Sequence, residues 1–160
     1  MVEHSDDGRY IVVDGRRWRA SDPSIPEALR AELVAELMAA RRDVRTDPET
    51  ARPRVQDAKV ALGERGRPWW QEPTGDSLRE RLAATIRTLL RHRASDRTIC
   101  PSDVARAVGG SSWRTRMDAA RAVAAELHDA GVVRVRQRGE DVEPRTARGP
   151  VRIARGPNWT

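Results

Sequence analysis

The sequence contains no phenylalanine, one tyrosine and one cysteine, and its only lysine is Lys59. Each scarcity excludes something. A lone cysteine, Cys100, rules out an intrachain disulfide and any multi-cysteine metal knot. It stands just before a helix start, where a thiol can be activated, but a buried structural cysteine suits the position better. The histidines, His4, His92 and His128, show no metal-ligand spacing. No apolar run approaches the roughly 20 residues that a membrane-spanning helix needs, and no charged-then-apolar signal opens the chain. The expectation is a cytoplasmic protein that does not contact a membrane. No acidic cluster suits metal-assisted hydrolysis and no nucleophile sits in a recognisable constellation with a base. The sequence therefore predicts no catalytic residue, no metal and no cofactor. With phenylalanine absent, the core must come from aliphatic residues and five tryptophans.

What the chain has in quantity is arginine. Basic residues number 30 against 24 acidic, a net charge of +6 over 160 residues. The excess is uneven. Met1–Glu72 holds 13 basic and 14 acidic residues, whereas Pro73–Thr160 holds 17 and 10. Codon preference can explain arginine in place of lysine, but not an asymmetry between halves. The basic C-terminal half favours an anionic partner.

That half is organised around Thr98–Gly139. Pro101 suits the first turn of a helix, where its missing N–H has no partner anyway. Val104, Ala107 and Val108 form an apolar stripe at helical spacing, and Gly109-Gly110 supplies the stop. Ser111 or Ser112 can cap a second helix by accepting an orphan backbone N–H. In it Trp113, Met117, Ala120, Ala124 and Leu127 recur on one face, with Val123 at its edge and Gly131 closing it. Val133, Val135 and Gln137 then alternate with Arg134, Arg136 and Arg138, the period of a half-buried strand. Val151 and Ile153 can return antiparallel, leaving Arg138–Arg148 as a basic loop. Upstream, Asp76 or Ser77 can cap a helix that turns Leu78, Leu82, Ile86, Leu89 and Leu90 inward and ends near His92. The order is that of a winged helix-turn-helix. Leu82, Ile86, Leu89, Val104, Met117, Leu127, Val133 and Ile153 should share its core.

Before it, Met1–Gly8 reads as a frayed polar start. Arg9–Val13 and Arg16–Ala20 flank Asp14-Gly15, a strong two-residue hairpin signal, with Tyr10, Val12 and Trp18 offering apolar contacts. Ser24-Ile25-Pro26-Glu27 has the spacing of a capping box. The helix it opens buries Leu29, Leu33 and Leu37, with Val34 and Met38 beside them. Asp47-Pro48 opens another, with Val55, Ala58 and Leu62 inward and a stop at Gly63 or Gly66. The short connection makes the two helices antiparallel neighbours. Trp69-Trp70, between Pro68 and Pro73, suit packing at a junction better than stacking on a base. The expected class is mainly α with small β elements (α+β). A β-hairpin and α-hairpin fill 1–72, and the winged helix fills 73–160.

The C-terminal half resembles an uncharacterised bacterial family of small winged-helix proteins. The residues that carry the likeness are Thr98–Gly110, Trp113-Arg114, Met117, Arg121 and Ala147–Ile153. The N-terminal half is similar to an uncharacterised segment of actinobacterial and proteobacterial proteins, through Gly15–Ala20, Pro23–Arg30 and Ala58–Gly66 with Pro68-Trp69-Trp70. These resemblances cover most of the chain and imply a fold, with no activity and no functional residues to carry over.

In winged helices the start of the second helix meets base edges and the wing touches phosphates. The candidate nucleic-acid-binding residues are therefore Ser112, Arg114, Thr115, Arg116 and Arg121, with Arg134, Arg136, Arg138, Arg145 and Arg148 around the wing. Two features weigh against them. The helix face opposite the core, Thr115, Asp118, Ala119, Ala122 and Glu126, is acidic and small. Glu140, Asp141 and Glu143 can neutralise the wing arginines. The expectation is nucleic-acid binding, with DNA as partner and transcriptional regulation as a role. The alternative is a non-catalytic protein-interaction module on the same scaffold.

Overall fold

The computed structural model describes residues 2–160. Its first sheet is three-stranded: β1 (Glu3–His4), β2 (Tyr10–Val13) and β3 (Arg16–Arg19), antiparallel in that order. Asp14 and Gly15 both take positive φ, 51° and 75°, the backbone of a tight turn whose twist matches the flanking strands. The short β1 corrects the expectation of a frayed start. Asp7 organises a local turn that returns the chain, accepting from the Ser5 hydroxyl at 2.6 Å and from the Arg9 N–H at 3.0 Å.

Helices α1 (Glu27–Asp43) and α2 (Pro48–Ala61) follow as the expected antiparallel pair. Asp47 caps α2 by accepting from the Thr50 N–H at 3.4 Å. The expected capping box on α1 is absent. Ser24 instead donates both its N–H and its hydroxyl to the Asp22 carboxylate, at 2.9 and 2.7 Å, and α1 starts after Pro26 without a side-chain cap. Leu29, Leu33 and Leu37 are buried and Val34 half-buried, but Met38 is 38% exposed because it lies one position past the inward stripe.

Then come α3 (Gly75–His92) and α4 (Pro101–Gly109). Thr74, not Asp76 or Ser77, caps α3, and Ser77 completes a reciprocal box by accepting from the Thr74 N–H at 2.9 Å. Gly110, at φ 56°, ends α4 as expected. A 3-10 segment, Gly110–Arg116, leads into α5 (Met117–Asp129), so neither Ser111 nor Ser112 caps a helix. The cause is local. The Arg116 side chain folds over Gly109, and the Thr115 hydroxyl donates to the Ser112 carbonyl at 2.7 Å, tightening the turn while Ser112 leaves helical geometry.

The second sheet has the order β5 (Glu140–Asp141), β4 (Val133–Gln137), β6 (Arg152–Arg155). Val135 pairs with Ile153, and Ile99 bridges to Ile153 just before α4. The class is α+β, as the sequence patterning implies. One hydrophobic cluster runs through it, taking Leu33, Leu37, Ala58 and Leu62 together with Leu82, Ile86, Leu89, Val104, Leu127, Val133 and Ile153. Met117 packs at its edge, half-buried. Residues from 1–72 and 73–160 thus share a core, with α3 lying against both α1 and α2. A buried ion pair reinforces this contact. Arg81 of α3 meets Asp22 at 2.9 Å, and its guanidinium also donates to the Ala61 carbonyl at 3.3 Å. No helix among the described residues is long and apolar enough to cross a membrane.

Candidate nucleic-acid interface

Helix α5 buries Ala120, Val123, Ala124 and Leu127 and turns Asp118, Ala122 and Glu126 to solvent. Ala119, expected on the outer face, is half-buried. The polar residues read from the sequence lie mostly on the 3-10 lead-in rather than on the helix. Ser112, Arg114 and Thr115 are exposed there. The Arg114 guanidinium lies 4.5 Å from the centroid of the Trp113 ring, and Arg106 of α4 lies 4.4 Å from the same ring. Arg116 points elsewhere: it crosses Gly109 towards Glu72, 3.7 Å away.

Arg121 is committed to the fold. Its guanidinium donates to the Ala147 carbonyl at 3.0 Å and the Gly149 carbonyl at 3.2 Å, fastening the loop after β5 to α5. Arg145 fastens the same loop to the other end of the helix through a two-pronged contact with Asp129, at 3.0 and 2.7 Å. That hydrogen bond holds the Asp129 carboxyl below its usual range and raises the Arg145 guanidinium. Glu143 lies 3.9 Å from Arg145 as well.

The basic loop therefore has two parts with different geometry. Its first part is a tight turn between β4 and β5, with Arg138 at φ 53° and Gly139 at 81°. Arg136 donates to the Gly139 carbonyl at 2.8 Å and pairs with Asp141 at 3.2 Å, while Arg134 approaches Asp141 at 4.0 Å. Its second part, Val142–Pro150, lies along α5 under the Arg121 and Arg145 clamps. Among the described residues, Arg114, Arg138 and Arg148 are the members of the candidate set that are exposed cations without a carboxylate partner. Arg134, Arg136, Arg145 and Arg121 are engaged internally, and Arg116 turns aside.

A cleft of about 400 Å³ beside the 3-10 lead-in has no counterpart in the sequence reading. Trp69, Trp70 and Arg65 line one wall, and Arg81, Ser112 and Arg116 line the other. Gly110 permits this closeness, since a Cβ there would come within 2.8 Å of Ser24 Cβ. Only the folded chain brings residues near 22, 70 and 112 together, so no spacing in the sequence announces it. Trp69 donates its indole N–H to the Ala20 carbonyl at 3.0 Å, and Trp70 meets Tyr10 edge-on at 5.6 Å. The tryptophan pair thus secures the first sheet to the helices.

No group of three or more His, Cys, Asp and Glu among the described residues is arranged to hold a metal ion. No curated protein matches the chain. Residues 79–156, which run from the first turns of α3 to just past β6 and make up just under half of the chain, match the model of an uncharacterised family described as Protein of unknown function (DUF3253).

Proposed function

We propose that this is a nucleic-acid-binding protein that uses the segment from α3 to β6 as a winged helix and takes duplex DNA as its ligand. Under this reading α3, α4 and α5 form the three-helix part, the bridge at Ile99 with β4 and β6 forms the small sheet, and the Arg138-Gly139 turn is the tip of the wing. The observation that carries the reading is the set of exposed, carboxylate-free arginines, Arg114, Arg138 and Arg148, on the segments that flank α5. Cations so placed suit phosphates, while the acidic outer face of α5 suits base edges poorly. Affinity then comes mostly from the backbone and sequence discrimination is modest, so any regulatory role depends on weak preference or on a partner.

The test is binding of the full chain to a labelled duplex across a salt series, because the shared core makes a fragment a poor substitute. Arg114, Arg138 and Arg148 together should contribute about 2.7 to the fall of log affinity with log salt, and Arg138→Gln should flatten the slope by about one. Absence of any salt-dependent binding to duplex would end the reading. The second reading, a protein-interaction module, rests on the exposed Asp118, Ala122 and Glu126 face of α5. It gains ground if a protein partner is lost on Glu126→Arg while DNA binding is absent.

A further inference from the structure

The hairpin of β2 and β3 rests on the helices at its base and projects at its tip. At the base, the Arg19 guanidinium donates to the Gly66 carbonyl at 2.8 Å, and the Trp69 indole holds the Ala20 carbonyl. Buried Lys59 of α2 lies 5.3 Å from the Trp18 ring, and burial lowers the pKa of its ammonium. Towards the tip, Val13, Asp14, Gly15, Arg16 and Arg17 are all exposed.

The register divides this hairpin into two faces. Ile11 opposes Trp18 and Val13 opposes Arg16, so these four side chains share one face. Tyr10 opposes Arg19 and Val12 opposes Arg17, so these share the other. On each face one guanidinium lies over a ring: Arg16 at 4.2 Å from the Trp18 centroid and Arg17 at 4.0 Å from the Tyr10 centroid. Stacking engages the flat face of a guanidinium and leaves the N–H groups in its plane free to donate. The polar contacts of the hairpin go through Asp7, Arg9 and Arg19, and none involves the Arg16 or Arg17 side chain among the described residues. Two charged donor forks, each over a ring and without a carboxylate, thus stand on opposite sides of the ribbon. The nearby acids are Asp14 at the tip and Glu3, which opposes Val12 on the Arg17 face. Asp6 and Asp7 lie in the turn at the other end of β2.

We infer that this hairpin is a second nucleic-acid contact, an arm that enters the major groove of duplex DNA and sets Arg16 and Arg17 against the phosphate rails on its two sides. A groove about 12 Å wide admits a two-stranded ribbon, and its walls are phosphate on both sides. A guanidinium fork fits a phosphate with paired N–H donors. A bilayer would offer phosphates on one side only and would meet Asp14 first. The inference shares its ligand class with the reading above but concerns a different surface.

The experiment uses the full chain and a duplex long enough to span both surfaces, titrated between about 50 and 200 mM salt. Three proteins are compared: wild type, R16Q/R17Q and R114Q/R138Q/R148Q. The arm variant should lower the salt slope by about two, which narrows the affinity change over that range about tenfold. R16K/R17K should keep the slope and bind more weakly, since lysine keeps the charge without the stacked fork. A duplex with bulky substituents filling the major groove should bind wild type less tightly and R16Q/R17Q no differently. That comparison also tests the arm without relying on the variant slope. An unchanged slope in R16Q/R17Q overturns the arm, even if the other triple variant loses binding and the first reading stands. Loss in the arm variant alone supports the arm and ends the first reading. Wild type that ignores duplex, or binds only anionic phospholipid vesicles, overturns both.

Discussion

The loop after β4 and the hairpin of β2 and β3 are both rich in arginine, and they dispose of it in opposite ways. Around the loop, Arg134 and Arg136 of β4 meet Asp141 and Arg145 meets Asp129, which leaves only Arg138 and Arg148 there without a carboxylate among the described residues. In the hairpin, Arg16 and Arg17 meet aromatic rings. A carboxylate cancels the charge and occupies the N–H groups, whereas a ring does neither. A residue count ranks the loop as the basic surface, because the C-terminal half carries the charge excess. The partners reverse part of that ranking. Half-buried arginines form a third group, in which Arg81 meets buried Asp22 and Arg54 meets buried Glu36 at 2.7 Å, and these serve the fold.

The sharpest way to separate the structural arginines from the others is to remove a buried partner. Asp22→Ala leaves Arg81 charged inside the contact between α3 and the N-terminal region, and should cost about 3–5 kcal/mol. Urea unfolding measures it, and a loss under about 1 kcal/mol would put the pair among the surface ones. Next in size is Leu33→Ala, at about 2–5 kcal/mol, since Leu33 is fully buried in the cluster shared with α3. It should shift one cooperative transition. A second, unshifted transition from the 73–160 region would mean that the two cores unfold independently.

The smallest effect on stability, and the most direct attack on the contrast, is Asp129→Asn. It releases an exposed arginine from its carboxylate at little cost to the fold. If loop arginines are silent only because they are paired, freeing Arg145 by Asp129→Asn, with Glu143→Gln to remove the carboxylate 3.9 Å away, should steepen the salt dependence of duplex binding by about one. No change in slope would show that geometry, not pairing, keeps Arg145 out of contact. The pH dependence has a fixed sign. Asp129 has a depressed folded pKa, so its contribution is complete above its unfolded value of about 3.9 and fades as pH falls through the lower folded one. Thermal midpoints of wild type and Asp129→Asn should therefore differ by a constant amount from pH 7 to 5 and converge only under more acid conditions.

Much of the fold was legible because its signals are local. Apolar spacing located all five helices, Asp14-Gly15 announced the hairpin, and alternation at Val133–Arg138 announced β4. The misses arise where another nearby group outbids the partner that the spacing suggests. Ser24 has a capping-box spacing, but the Asp22 carboxylate lies closer to hand and takes both its donors. Ser111 and Ser112 precede an apolar run, but Arg116 folded over Gly109 and the Thr115 hydroxyl on the Ser112 carbonyl tighten the chain into 3-10 geometry. The candidate interface was legible as a list of cations and illegible as a surface. Which arginine faces a carboxylate depends on contacts such as Arg145 with Asp129, 16 residues apart. The arm escaped notice because residues 1–72 carry no net positive charge, and a sum over residues hides one pair of free forks.

The clamps from Arg121 and Arg145 have a thermodynamic consequence. A loop tied at Arg145, Ala147 and Gly149 to two places on α5 has already lost much of its freedom before any ligand arrives. Binding there would order few side chains and bury mostly polar surface, so its heat-capacity change should be small. Calorimetry across temperature would then show a nearly constant enthalpy, as for two bodies that dock without folding.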